Sequence, residues 1–346
     1  MIPGVRSLVL LGVAALAVQS GVPAHAQAPA PAKPETPPAA TSPAPAPKPV
    51  VVQPKRFASP EEAVQALVTA LRAGDTRALV AVLGSEGRPL VSSGDPVLDR
   101  RSREAFLQAY DASSTLVPKG DHAVLLQIGA GPDGWPFPIP LVKQGERWRF
   151  DARQGREEIL ARRIGRNELY TMQTCLAYVD AQREYYATDR NGDGILEYAQ
   201  RFDSTPGKRD GLYWSTQPGE PPSPLGTLVV RARAAGYRRE GGGPTPFYGY
   251  LYRILTAQGP AAPGGEYEYV LHGHMIGGFA LVAFPAQYGV SGVMTFLVNH
   301  DGVVYQKDLG PGTRSIAFAM RKFNPDDTWT KAEVPDVVAL TNGASR

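Results

Sequence analysis

Apolar residues recur at helical spacing early in the folded part of this chain and at strand spacing late in it. Val64, Leu67, Val68 and Leu71 stand at i, i+3, i+4 and i+7, one apolar stripe of an amphipathic helix. Ser59-Pro60-Glu61-Glu62 predicts its start, with Ser59 as N-cap, Pro60 at the first helical position and Glu62 closing a capping box. Gly74 ends it. Asp75 then caps a second helix carrying Leu79, Val82 and Leu83, and Asp95-Pro96 starts a third with Leu98, Ala105, Phe106 and Ala109 inward. Strand-like runs follow at 123–128, 137–142 and 147–150, the last two joined by the turn Lys143-Gln144-Gly145-Glu146.

From about Arg153 the helical period returns. Leu169, Met172, Leu176, Val179 and Tyr186 form a long stripe, with Arg183 filling the remaining turn, and the polar stretch 189–194 stops it. Cys175 falls on the apolar side of this helix. A further helix from Ser223-Pro224 buries Leu225, Leu228, Ala232 and Ala235 and stops at Gly236. Strands are expected at 248–256, 267–271, 279–284, 294–298 and 303–306, with Asn299-His300-Asp301-Gly302 turning between the last two, and a short helix at 316–323. Helices, then antiparallel strands, twice over, make the fold class α+β. The expected division is a domain at 57–152, a second at 153–330 in which the long helix packs on an antiparallel sheet, and a tail at 331–346.

Residues 1–26 read as a signal peptide: Arg6, an almost wholly apolar run from Ser7 to Val18 and the small-x-small site Ala24-His25-Ala26. The run is shorter than the roughly 20 residues a membrane span needs, so no transmembrane segment is expected in the mature chain. Cleavage near Ala26 places the protein in the periplasm or outside the cell, away from cytoplasmic nucleotides and nucleic acid. The Ala- and Pro-rich residues 27–56 have no packable face and are expected to be a disordered linker. A net charge of +3 demands no polyanionic partner. The single Cys rules out a disulfide within the chain, so stability must come from packing, for which 43% apolar residues suffice.

The sharpest chemical motif is Asp189-Arg190-Asn191-Gly192-Asp193-Gly194-Ile195-Leu196-Glu197. Asp189, Asn191 and Asp193 occupy positions 1, 3 and 5 of a calcium loop, the Ile195 carbonyl position 7 and Glu197 position 9. Position 12 is Gln200 where a bidentate Glu is expected, and Asp, Asn and Gly also make ordinary turns, so calcium site and solvated turn both stand. His272 and His274 would share a side if extended, as a metal pair or as a polar strand end. Ser291, His300 and Asp301 supply the residue types of a triad without a nucleophile elbow. Lys208, Arg209, Asp210, Tyr213 and Trp214 form a loop suited to recognising an envelope protein or a glycan, or a plug in which Tyr213 and Trp214 close the core. Arginines at 147, 149, 153, 156, 162, 163 and 166 mark an exposed helix face or a contact with anionic envelope material. Gly241-Gly242-Gly243 reads as a linker, and no phosphate-binding motif occurs.

Several segments resemble an uncharacterised bacterial family, domain of unknown function 2950. They are GWPFPIPLV at 134–142, GREEILARRIGRNEL at 155–169, YVDAQREYYATDRNGDGILEYAQRF at 178–202, STPGKRDGLYW at 204–214, GEPPSPLG at 219–226 and GGFALVAFPAQYGVSGVMTFLVNHDGVVYQKDLG at 277–310. The resemblance runs from about 57 to 329. It implies an exported envelope protein and carries over no catalytic residue. The order of elements in 57–152 is similar to nuclear-transport-factor-2-like domains. The C-terminal half is similar to the heads of type IV pilins and pseudopilins, without their N-terminal membrane segment. These readings converge on a non-catalytic binding or structural module of the envelope. The alternative is an envelope hydrolase whose site is assembled only in three dimensions, and a polar pocket with convergent His, Asp or Glu groups would distinguish it.

Overall fold

Ser59, Asp75 and Asp95 each supply the side-chain acceptor that a helix start lacks. In the computed structural model, which describes residues 51–129, 134–237 and 244–334, they open α1 (Pro60–Ala73), α2 (Thr76–Leu83) and, after a short 3-10 turn and α3 (Arg88–Val91), α4 (Pro96–Ala112). Ser59 Oγ accepts the Glu62 N–H at 3.2 Å while the Glu62 carboxylate accepts the Ala58 N–H at 2.8 Å. Asp75 accepts from Arg77 and Ala78, and Asp95 from Val97 and Leu98. Leu98 is buried as expected, but Ala105 is exposed, because α4 meets the first core through Phe106, Leu107, Ala109 and Tyr110. The signal peptide, the linker up to residue 50, Gly241-Gly242-Gly243 and the tail beyond 334 lie outside the described residues.

Contacts begin before Phe57. The Val52 N–H donates to Ser85 Oγ at 2.7 Å, Ser85 N–H returns to the Val52 carbonyl, and the Lys55 N–H donates to the Ala81 carbonyl. The end of the Pro/Ala-rich stretch therefore lies along α2 and the turn after it.

The first sheet holds β1 (Ser114–Pro118), β2 (Ala123–Ile128), β3 (Trp135–Pro136), β4 (Leu141–Gln144) and β5 (Arg147–Phe150), in the order β1-β2-β4-β5 with β3 on β2. The run at 137–142 is not one strand. Pro138 and Pro140 have no N–H for the ladder, so pairing resumes only at Leu141. β1, mostly exposed, carries no apolar alternation that would have announced it. Phe57, Leu67, Leu79, Leu126 and Phe150 pack between this sheet and α1–α2 as the first core.

The second core is built on α5 (Ala152–Tyr186), whose buried face presents Met172, Cys175, Tyr178, Val179 and Tyr185. After α6 (Gly226–Ala234) come β6 (Tyr250–Leu255), β7 (Ala257–Gln258), β8 (Tyr267–Glu268), β9 (Val270–Leu271), β10 (His274–Met275), β11 (Ala280–Pro285), β12 (Met294–Asn299), β13 (Tyr305–Asp308), α7 (Thr313–Ala319), β14 (Lys322–Phe323) and β15 (Thr330–Lys331). The main sheet runs β15-β13-β12-β11-β6, with every residue of β11 buried. α5 is fastened to it by Asn167, which donates to the Ser291 carbonyl, and by Glu168, which accepts from the Val293 and Met294 N–H groups. The expected helix at 316–323 instead starts at Thr313 and ends at Ala319. Arg253 donates to the Ala317 carbonyl at 2.8 Å and to that of Met320, terminating the helix and leaving Phe323 as a buried strand residue.

The fold is thus α+β, and the two cores belong to one compact unit. Asp95 joins them: the carboxylate that caps α4 also accepts from the Tyr237 hydroxyl at 2.8 Å and the Gly249 N–H at 2.9 Å. Among the described residues no helix is long and apolar enough to cross a membrane.

Candidate metal centre

The last turns of α5 set up the loop that follows. Gln182 is buried in the helix, yet its amide is satisfied in both senses: it donates to the Ala199 carbonyl and accepts the Ala199 N–H, both at 2.8 Å. Arg190 folds back over the helix end and donates to the Glu184 and Tyr185 carbonyls, where a cation is favoured by the helix dipole. Between these anchors Asp189 gathers the loop. One carboxylate oxygen accepts from Asn191 and Gly192 and the other from Gly194, and these N–H donors, Gly194 foremost, hold its carboxyl below the ordinary 3.8. Gly192 and Gly194 have φ of 78° and 83°, which a side chain would strain.

Across from the loop, β9 and β10 form a hairpin whose two-residue turn is His272-Gly273, both at positive φ. His272 therefore sits in the turn and His274 in the strand, and the two do not act as a pair. The Tyr198 N–H donates to the Met275 carbonyl and Gln200 Nε2 to the Gly273 carbonyl, so the chain leaving the loop runs beside β10. This juxtaposition puts His274 Nδ1 3.1 Å from Glu197 Oε2 and 3.7 Å from Asp193 Oδ2.

Asp193, Glu197 and His274 thus offer three ligand atoms within 4.8 Å of one another. Metal–ligand bonds of about 2.0–2.2 Å in tetrahedral geometry put donor atoms about 3.4 Å apart, between the two imidazole distances found. The side chains are 34%, 19% and 28% exposed, so the site is at the surface but sheltered. Two carboxylates and one imidazole suit a divalent ion that accepts both nitrogen and oxygen, zinc being one, and leave a position for water.

Of the residues expected to bind calcium, the structure brings Asp193 and Glu197 together and bridges them through Asn191, whose amide donates to both at 2.8 and 3.2 Å. Asp189 lies outside the set and serves the loop backbone. Ile195 donates its N–H to Asp193. His274 was missed as a member of this group because 77 residues separate it from Glu197. The antiparallel pairing of Tyr198 with Met275 and the Gln200 bond to the Gly273 carbonyl join them, and none of these residues carries a sequence signal for it.

The 208–214 segment packs beside the loop. Trp214 has the guanidinium of Arg190 at 5.5 Å and that of Arg209 at 5.6 Å from its ring centre, and Tyr213 has that of Arg233 at 4.9 Å. Both rings pack against the second core, and Asp210 is held by Thr205. Lys208 is exposed at the rim. Beyond Gln200 opens a groove of about 1030 Å³ between 200–206, α6 and β6. Phe202, Leu228, Val229, Phe247 and Tyr252 wall it, with Arg201, Asp203, Arg233 and Arg253 also on its lining; no His lines it among the described residues, and its Ser204 and Thr205 hydroxyls bond within their own loop. Ser291 is buried and bonded to Gln287, while His300 packs on Tyr269 and Phe279 3.8 Å from Asp301, so these three do not form a triad. Cys175 is fully buried, and desolvation pushes its thiol up to about 12.

The pattern of a family described as protein of unknown function (DUF2950) matches residues 54–332. No curated protein matches the chain, and no solved structure does.

Proposed function

We propose that this chain, which belongs to the DUF2950 family of proteins of unknown function, is an exported binding protein of the cell envelope whose recognition face is fastened by a divalent metal. The observation that carries the metal is His274, delivered by a distant hairpin to the carboxylates of Asp193 and Glu197. An ion there would tie the 189–197 loop to the β9–β10 hairpin. Through Arg190 and Trp214 it would also steady the 208–214 segment, where an envelope protein or glycan would be met. Export rests on Arg6, the apolar run and Ala24-His25-Ala26.

The groove favours binding over turnover, since its apolar and aromatic walls, edged by Arg201, Asp203, Arg233 and Arg253, suit retention of a ligand and no His lines it among the described residues. One observation favours a second reading, hydrolysis: three protein ligands with an open position are also the arrangement of zinc hydrolases. Titration calorimetry of the mature protein with zinc and with calcium tests the metal. One zinc per chain is expected, bound more tightly than calcium and weakened at least tenfold by His274→Ala. Calcium binding that ignores His274→Ala, with no zinc binding, would support the oxygen-only loop instead. Ester or phosphoester turnover by the zinc form, lost in Glu197→Gln, would favour the hydrolase.

A further inference from the structure

A second cavity, of about 270 Å³, opens in the first half of the chain and shares no element with the metal loop except the long helix α5. Its walls are apolar: Leu67 and Leu71 of α1, Leu83 of α2, Phe106 of α4, Phe137 and Ile159. Its rim has one sign. Among the described residues Arg103 of α4 and Arg162, Arg163 and Arg166 of α5 line it, and no acidic one does.

The four arginines are not equally committed. Arg163 spends two N–H donors on the Pro89 and Leu90 carbonyls at 2.7 and 2.6 Å and so forms part of the wall. Arg162 pairs with Glu158 at 2.5 Å and lies 5.9 Å from the centre of the Trp135 ring. Asp99, the acid nearest to Arg163, is already held by the N–H and hydroxyl of Ser93. Arg103 and Arg166 make no ion pair or hydrogen bond with any described residue, so neither guanidinium is committed to the wall as Arg163 is. The indole N–H of Trp135, also a lining residue, is buried without an acceptor among the described residues. A buried donor left unpaired calls for an explanation, and a ligand acceptor at the mouth would supply one.

An apolar interior under a cationic collar is complementary to a molecule with an apolar chain and an anionic head. Ligand pockets span roughly 300–1,000 Å³, so this one, at about 270 Å³ just below that range, has room for one chain and not for a diacyl lipid. A carboxylate matches the planar fork of an arginine in bidentate fashion. We propose that this pocket binds a free fatty acid, its chain among Leu67, Leu71 and Phe106 and its carboxylate at Arg103 and Arg166. Of the basic run along α5, Arg166 is thereby the headgroup contact, with Arg103 facing it from α4.

The test titrates dodecanoate, below its micelle concentration, into the mature protein and follows both binding heat and tryptophan fluorescence, with Trp135→Phe identifying the responding ring. Saturable one-to-one binding is expected, with a Trp135 signal. The double variant R103A/R166A, which alters one half-buried and one exposed side chain and no residue of either core, should weaken binding at least tenfold, and the uncharged dodecanol should bind at least tenfold more weakly than the acid. Phe106→Trp should fill the pocket and abolish the Trp135 response, with an unchanged far-ultraviolet circular dichroism spectrum confirming the fold. Binding that survives both R103A/R166A and Phe106→Trp, alcohol binding as tight as acid, or no saturable binding would each overturn the proposal. So would lysophosphatidylglycerol binding far more tightly than dodecanoate, since the head would then be a phosphodiester.

Discussion

Replacing Asp95 with Ala should be among the most damaging single changes in this protein, although nothing near it is catalytic. The carboxylate is 1% exposed and holds four donors: Val97 and Leu98 at the start of α4 through one oxygen, the Tyr237 hydroxyl and Gly249 N–H through the other. Losing the cap costs roughly 1 kcal/mol. Leaving Tyr237 and Gly249 unpaired inside costs about 1–3 kcal/mol each. Water entering the space recovers part of this, so the expected loss is about 3–5 kcal/mol, a large share of the roughly 5–15 kcal/mol by which domains are stable. Tyr237→Phe, which leaves the carboxylate three donors but removes the acceptor of the Tyr248 N–H, should cost less, about 1–2 kcal/mol. The two changes should couple strongly in a double-mutant cycle. Burial and the adjacent carboxylate push the Tyr237 phenol well above its ordinary 10.0, so its hydroxyl remains a donor throughout the accessible pH range. Urea unfolding followed by circular dichroism measures all four species. A loss below about 1 kcal/mol for Asp95→Ala would refute the reasoning and show that Asp95 does not join the two cores.

Three further outcomes are expected. A chain beginning at Phe57 should unfold about 1–3 kcal/mol more easily than one beginning at Val51, because it lacks the hydrogen bonds of Val52 and Lys55 to Ser85 and Ala81, and equal urea midpoints would show these contacts to be idle. Cys175 should resist a thiol reagent in the native protein and react at once in urea; between its ordinary 9.0 and about 12 only the unfolded chain loses the proton, so stability should fall as pH rises through that window. Gln182→Ala should cost about 2–4 kcal/mol by orphaning both backbone groups of Ala199, and should weaken zinc binding by shifting Glu197, whereas unchanged zinc affinity would mean that the loop exit holds itself.

Where local chemistry decides structure, the sequence was legible. The caps at Ser59, Asp75 and Asp95, the strands at 123–128 and 147–150 and the long helix from Ala152 follow from side chains that satisfy their own neighbours. What failed to show depends on partners far along the chain. Tyr178 and Tyr185 face the core although Gln182 lies between them, because Ala199 returns to satisfy that amide. The 316–323 segment breaks at Ala319 because Arg253 takes its last carbonyls. In the candidate site the loop could be read, since Asp, Asn and Gly at fixed spacing fold it locally. Its imidazole could not, because His274 reaches the loop through long-range links, the pairing of Tyr198 with Met275 and the Gln200 bond to the Gly273 carbonyl.

The central claim is that Asp193, Glu197 and His274 together hold a metal, and the X-ray absorption spectrum of the one-to-one zinc complex addresses it most directly. The account predicts a shell of nitrogen and oxygen ligands at about 2.0–2.1 Å with the outer scattering of a single imidazole, and that imidazole signal should vanish in His274→Ala. A spectrum with no imidazole, or one that His274→Ala leaves unchanged, would contradict it.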